Sequence, residues 1–377
     1  MKYPEPKQLT AQQLNLYQNV NRSKSWMLRW IFDRSCAKAT SIPECLFNNN
    51  PIIQNNSVTY YTTSSNVSVW QGMASYPDSN NPLIISGTTS SRQGVIYIGN
   101  ISTNSPTGKF YIFSVPGAQN TSAYGPRYDP STGYFTIVGS YSNPDNKKIY
   151  GFMFRGTLSD FTNPNNYILQ MNYTTMTPYT ETFSHSTYGN FVVGNSANVQ
   201  YLTTDSWIYN ITDKTYTQYV FPSDKTFTTT LYGIVQNANG TYTLAGGYST
   251  VNNNKQELEY GFIVDMDSNC NFSNETSIQY AKGILTHFEG ISTTSDADTY
   301  TLAGDSFSIQ DLKIGFAMKV VRDSSTGTFV VKDTVKINYD DKTTGKTTSN
   351  SIFENNVVGL FLSNPVMPFQ ATISNFV

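Results

Sequence analysis

Tyr232-Gly233-Ile234-Val235, Tyr242-Thr243-Leu244-Ala245-Gly246 and Gly261-Phe262-Ile263-Val264 make a three-part phrase that the chain uses again. Further on stand Glu289-Gly290-Ile291, Tyr300-Thr301-Leu302-Ala303-Gly304 and Gly315-Phe316-Ala317-Met318. In each copy a first apolar run opens at a glycine. A second run closes on a small residue and glycine, and a third opens Gly-Phe. The runs are short, β-branched or aromatic, and bounded by turn residues, which marks them as strands. Working outward, one copy holds Trp70-Gln71-Gly72-Met73 with 83–87 and 94–98, and the next holds Tyr124-Gly125 with 134–139 and 150–154. A contracted copy is read at Tyr188-Gly189 with 191–194 and 206–209. A partial sixth follows at Val357-Val358-Gly359-Leu360-Phe361 and 369–373. Between the runs lie tight-turn sequences: Asp129-Pro130-Ser131-Thr132-Gly133, Asn237-Ala238-Asn239-Gly240, Asn143-Pro144-Asp145-Asn146 and Asn252-Asn253-Asn254.

A β-rich phrase recurring every ~45–70 residues resembles the blades of a β-propeller. The resemblance covers residues 58–377 and is to an architecture. The Trp-Asp signature of WD40 repeats, the double glycine of kelch and the Asp-box of sialidases are absent. The fold class is therefore all-β, with six blades expected and five or seven as the alternatives. The sixth copy shows only two strands, too few for a four-stranded blade. Propellers commonly close with strands from the other terminus, which removes an open edge. Val58-Thr59-Tyr60-Tyr61-Thr62-Thr63 is the expected outermost strand, and residues 26–47 are the candidates for the other. Residues 1–57 hold no copy of the phrase and read as an N-terminal extension, either blade-closing or an assembly segment. A helix is expected over 9–20 with Thr10 as its N-cap.

Charged residues make up 13% of the 377-residue chain and the net charge is -2, with no Lys/Arg cluster. That excludes the concentrated basic face that nucleic acid requires. Aromatic content of 14% argues against disorder. No apolar run approaches the ~20 residues of a membrane span, and Met1-Lys2-Tyr3-Pro4-Glu5-Pro6 lacks the apolar core of a secretory signal. Three cysteines, Cys36, Cys45 and Cys270, carry no metal spacing. A Cys36–Cys45 bridge and three free thiols are both open. Asn-x-Ser/Thr triplets recur, but this composition yields about nine by chance.

Propeller topology brings the loop before each innermost strand and the second-to-third loop to one face. Residues before the first glycine and after the second are thus expected to ring a funnel there. The candidates are Trp70, Gln71, Tyr124, Tyr188, Tyr232 and Glu289 before it, and Asn195 and Asp305 after. The chain's two histidines, His185 and His287, fall in the same zone. Aromatic faces with amide and carboxylate groups suit a glycan or a protein partner. Two imidazoles with Glu289 and Asp305 have ligand chemistry for a divalent metal, and the two carboxylates could serve as an acid/base pair on a glycoside if about 5–10 Å apart. Packing between blades is the plainer reading of both, and neither a metal nor a cofactor is expected. Asp265-Met266-Asp267-Ser268-Asn269 begins like a calcium loop but lacks its Gly and closing Glu, so a turn is expected. No Gly-x-Ser-x-Gly elbow, phosphate loop or His-Glu-x-x-His occurs. The first expectation is thus a non-enzymatic binding protein, extracellular, on a cell surface or on a virion. The alternatives are a carbohydrate-active enzyme using Glu289 and Asp305, and a structural subunit assembled through residues 1–57.

Overall fold

The computed structural model describes residues 58–376 apart from 63–65, 79–80, 101–107, 147, 174–179, 199–202, 224–225, 252–256, 282–284, 308–312, 339–345 and 363–365. It explains the repeated phrase by one close approach. The glycine that ends each second run lies opposite the innermost strand, directly before a β-bulge. A Cβ on Gly87, Gly139, Gly194, Gly246, Gly304 or Gly359 would fall 1.9–2.3 Å from a carbonyl oxygen of that strand. Only glycine lets the two backbones approach so closely. The space beside the glycine is taken by a ring from the third strand, as with Phe152 on Gly139, Trp207 on Gly194, Phe316 on Gly304 and Phe369 on Gly359.

Six antiparallel four-stranded sheets result, and the fold is a six-bladed β-propeller. The innermost strands, in order of blades one to six, are Val67–Asp78, Asn120–Asp129, Thr180–Tyr188, Thr226–Gln236, Leu285–Thr293 and Lys346–Phe353. Each packs against the next, and the sixth returns to the first. The core lies between neighbouring blades: Ile84, Ile96 and Phe113 of blade one meet Phe135, Ile137 and Phe152 of blade two in one buried cluster. Both faces of every inner sheet are covered, so Gly94–Gly99 is buried throughout and reads as a continuous apolar run rather than an alternating one.

The ring closes as the sequence suggests. Val58–Thr62 pairs antiparallel with Met367–Ile373 as the outermost strand of blade six, with Val58 opposite Ile373 and Thr62 opposite Phe369. Two expectations are corrected. Blade six takes three strands from the C-terminal region, because Lys346–Phe353 is its innermost strand and Gly359 belongs to its second. No second strand from residues 26–47 is needed. Blade three is not contracted either: it has four strands, and Gly189 sits in its first hairpin turn at φ +56. In both blades a serine, Ser186 or Ser351, stands where the others have their first glycine. A small side chain suffices there, so a search for glycine slips to the wrong one.

The first hairpins turn where expected, with Gly133 and Gly240 at φ +73 and +85. Asp129 Oδ1 accepts from the Ser131 amide and hydroxyl, and Oδ2 from the Thr132 hydroxyl. Asp267 is likewise a turn residue, accepting from the amides of Asn269 and Asn271. Cys270 is a free thiol whose pKa burial pushes up. Among the described residues no helix is long and apolar enough to cross a membrane. The expected helix over 9–20, the Cys36–Cys45 pair and the turn at Asn252 lie outside the described residues.

Candidate central cavity

Each innermost strand spends one extra residue on its bulge, and the six extra residues are Gln71, Tyr124, His185, Tyr232, Glu289 and Asn350. A bulge re-aims the side chain it carries. Repeated about an axis, it delivers an amide, two phenols, an imidazole and a carboxylate to the central cavity, while the amide of the sixth, Asn350, turns to the Trp70 carbonyl. Sequence reasoning placed Gln71, Tyr124, Tyr232 and Glu289 at this position and His185 near it. It put Tyr188 there in place of His185, and it missed Asn350 because blade six was aligned on Gly359. The signal for Asn350 was present as a polar residue followed by the small Ser351.

Above this ring lies a cavity of about 310 Å³, bounded by Gln71–Ser75, Tyr124–Arg127, His185–Tyr188, Tyr232–Val235, 289–295 and 351–354. All of these residues are at or after the bulges. The cavity therefore opens at the end where the innermost strands turn into the second strands. The funnel read from the sequence lay at the opposite end, whose loops include 174–179, 199–202, 252–256 and 308–312 and lie outside the described residues.

Four rings stack in sequence around the axis. Tyr124 lies 5.5 Å from His185 at 14°, His185 4.0 Å from Tyr232, and Tyr232 4.6 Å from His287 edge to face. Gly247 makes room for the last of these, since a Cβ there would meet His287 Nδ1 at 2.3 Å. The freed space lets Nδ1 reach Glu259 Oε1 at 3.0 Å while Nε2 faces Glu289 Oε1 at 3.7 Å. The pKa values of the two histidines shift in opposite directions. Burial, then the neighbouring His287, lowers the pKa of His185 to about 3. Burial also opposes protonation of His287, but Glu289, Glu259 and Asp305 outweigh it and raise the pKa. Burial pushes Tyr124 up to about 12, and burial with the carboxylates of Glu289 and Glu259 carries Tyr232 well above its usual value.

Three other candidates hold the blades together. Trp70 is fully buried against Tyr97 in the core of blade one, so its ring is not offered to a ligand. Asn195 Oδ1 accepts from the Leu231 amide at 2.9 Å, and Asn195 Nδ2 donates to the Leu231 carbonyl. Asp305, wholly buried, accepts from the Ser349 amide at 3.0 Å. Both fix the residue just before the next blade's bulge, and Asn350 does the same across the closure by donating to the Trp70 carbonyl at 2.7 Å. Asp305 does not line the cavity, so it and Glu289 do not form a carboxylate pair facing one substrate there. Among the described residues no group of three His, Cys, Asp or Glu is arranged to hold a metal.

No family model matches the sequence, and no curated protein matches it. Solved structures do resemble it. A protein of unknown function from Dyadobacter fermentans is 11% identical with a TM-score of 0.50, over 84% of this chain and 98% of the other. The soluble aldose sugar dehydrogenase of Escherichia coli is 8% identical with a TM-score of 0.44, over 84% of this chain and 99% of the other. The first likeness extends to the fold alone, and the second adds nothing to it.

Proposed function

We propose that this propeller is a non-enzymatic binding protein whose ligand is a small saccharide unit held in the central cavity, as a free sugar or as part of a glycan. The observation that supports this reading is the convergence of Gln71, Tyr124, His185, Tyr232 and Glu289 on the floor of a cavity of about 310 Å³. That size is at the lower end of small-ligand sites, which run about 300–1,000 Å³. Aromatic faces match the apolar side of a sugar ring, and amide and carboxylate oxygens match its hydroxyls. His185 is held neutral and His287 is tied to two carboxylates, an arrangement that fixes side chains rather than transferring protons. Low charge and a hydroxyl-rich sequence accord with a place outside a cell, on its surface or on a virion.

The test is titration calorimetry of the full chain with a saccharide panel, repeated on Gln71→Ala and Glu289→Gln. Saturable binding that both variants weaken supports the cavity. Binding that neither variant changes moves the site elsewhere.

A further inference from the structure

Arg127 sits on the innermost strand of blade two, just past the bulge, and lines the same cavity. It is half-buried, with Cζ 3.5 Å from the centroid of the Tyr188 ring on blade three. Among the described residues no carboxylate pairs with it. Arg322 is handled differently: it donates Nε and Nη2 to the two carboxylate oxygens of Asp265, at 3.0 and 2.7 Å, and Nη1 to Asp298. Burying a cation without a counter-ion is costly, and burial indeed holds the Arg127 pKa below its usual value. Stacking on Tyr188 and a side-chain hydrogen bond with it hold the guanidinium in place, and the remaining N–H groups of the fork can donate to the in-plane oxygens of a ligand.

We propose that the ligand in this cavity carries a carboxylate, as a uronic or other acidic saccharide does, and that Arg127 recognises it. The inference rests on the cavity being a saccharide site. A planar monoanion matches the single fork. A phosphate dianion would meet one cation in a cavity that also holds Glu289 on its floor and Glu354 at its rim. The hydroxyls of such a ligand would face the floor residues while its carboxylate stays at the wall formed by blades two and three.

The experiment is titration calorimetry of the full-length protein with D-glucuronate, D-galacturonate, D-glucose, D-galactose, glucose 6-sulfate and glucose 6-phosphate, at low and high salt. The acidic sugars are expected to bind more tightly than their neutral counterparts, and less so at high salt. Arg127→Gln should lose on the order of 10- to 100-fold of that affinity and bind neutral sugars unchanged. Arg127→Lys, which keeps the charge but not the fork, should lose part of it. It also serves as the readable variant if the glutamine substitution lowers the melting temperature. Equal affinity for acidic and neutral sugars, or full affinity in both variants, overturns the role of Arg127. Tighter binding of the phosphate or sulfate overturns the carboxylate assignment. Binding of no saccharide at all overturns the cavity reading itself, and this inference with it.

Discussion

Replacing His185 with phenylalanine should make the protein less sensitive to acid. The imidazole lies between the Tyr124 and Tyr232 rings, and its Nε2 is buried with no hydrogen-bond partner among the described residues. Its pKa falls from the usual 6.5 to about 3 in the fold, through burial and then through the charge on His287. Between those two values the unfolded chain binds a proton that the native state refuses. Protons therefore pull towards unfolding as the pH drops, and the stability present above pH 6.5 is lost progressively down to about pH 3. The slope approaches about 1.4 kcal/mol per pH unit, so by pH 4.5 about 2.7 kcal/mol of the stability present well above pH 6.5 has disappeared. For a chain of this size that is roughly a 4 °C fall in melting temperature. His185→Phe keeps an aromatic ring between the two tyrosines and removes the titration. Denaturant unfolding of both proteins at several pH values from 7 to 4.5 is the assay. The readout is the difference in pH dependence, which cancels groups common to both and does not depend on the absolute stability of the variant. Parallel curves would show that His185 is solvated and titrates normally, and the argument from burial would fail.

Gly246→Ala and Gly359→Ala each put a Cβ 1.9 Å from a backbone carbonyl oxygen, so the innermost hairpin must open. A loss on the order of 3 kcal/mol is expected in denaturant unfolding, and a change under 1 kcal/mol would contradict the close approach. Asn195→Ala strands the buried amide and carbonyl of Leu231, with an expected loss of roughly 2–3 kcal/mol. Near-neutral stability would mean that water enters the blade boundary. Glu289→Gln removes one of the carboxylates that raise the His287 pKa, so that value should fall. With two histidines in the chain, imidazole NMR resolves the titration directly, and an unmoved His287 would refute the contact. Stability from this pair is full below the unfolded histidine value and is lost as the pH rises through the folded one, so the variant should lose stability on the acid side. Deleting residues 1–57 should leave a cooperative fold, because the closing strand begins at Val58. Deletion through Thr62 should expose the edge at Met367–Ile373 and lower the melting temperature, and an unchanged melt would show that closure contributes little.

The fold was legible because its constraints are local and repeated. Gly87, Gly139, Gly246 and Gly304 are each required by an approach of two adjacent strands of one hairpin, so they stand out by period alone. The same reasoning found the closing strand, since a chain that ends short of a full blade must find strands elsewhere. It failed where a requirement for smallness was met by a different residue. Ser186 and Ser351 broke the pattern, blades three and six were misaligned, and Asn350 was lost. Reading Trp70 as a ligand-stacking residue failed for another reason. It adjoins the bulge residue Gln71, but its indole is fully buried against Tyr97, and which side chain a bulge turns to the axis is set by the pairing with the second strand and leaves no mark in the sequence.

By itself, then, the sequence determined an all-β ring of repeated blades and most of the residues that stand at its axis. Tertiary structure alone decided which way the cavity opens, that Asn195 and Asp305 serve the seams between blades, and that Glu259 reaches His287 from the neighbouring blade. It also decided that Arg127 meets a tyrosine ring and, among the described residues, no carboxylate. The division is physical. Hairpin geometry couples residues a few positions apart and leaves a periodic trace, whereas the charges at the axis are set by side chains from different blades, whose meeting leaves no pattern in the order of residues.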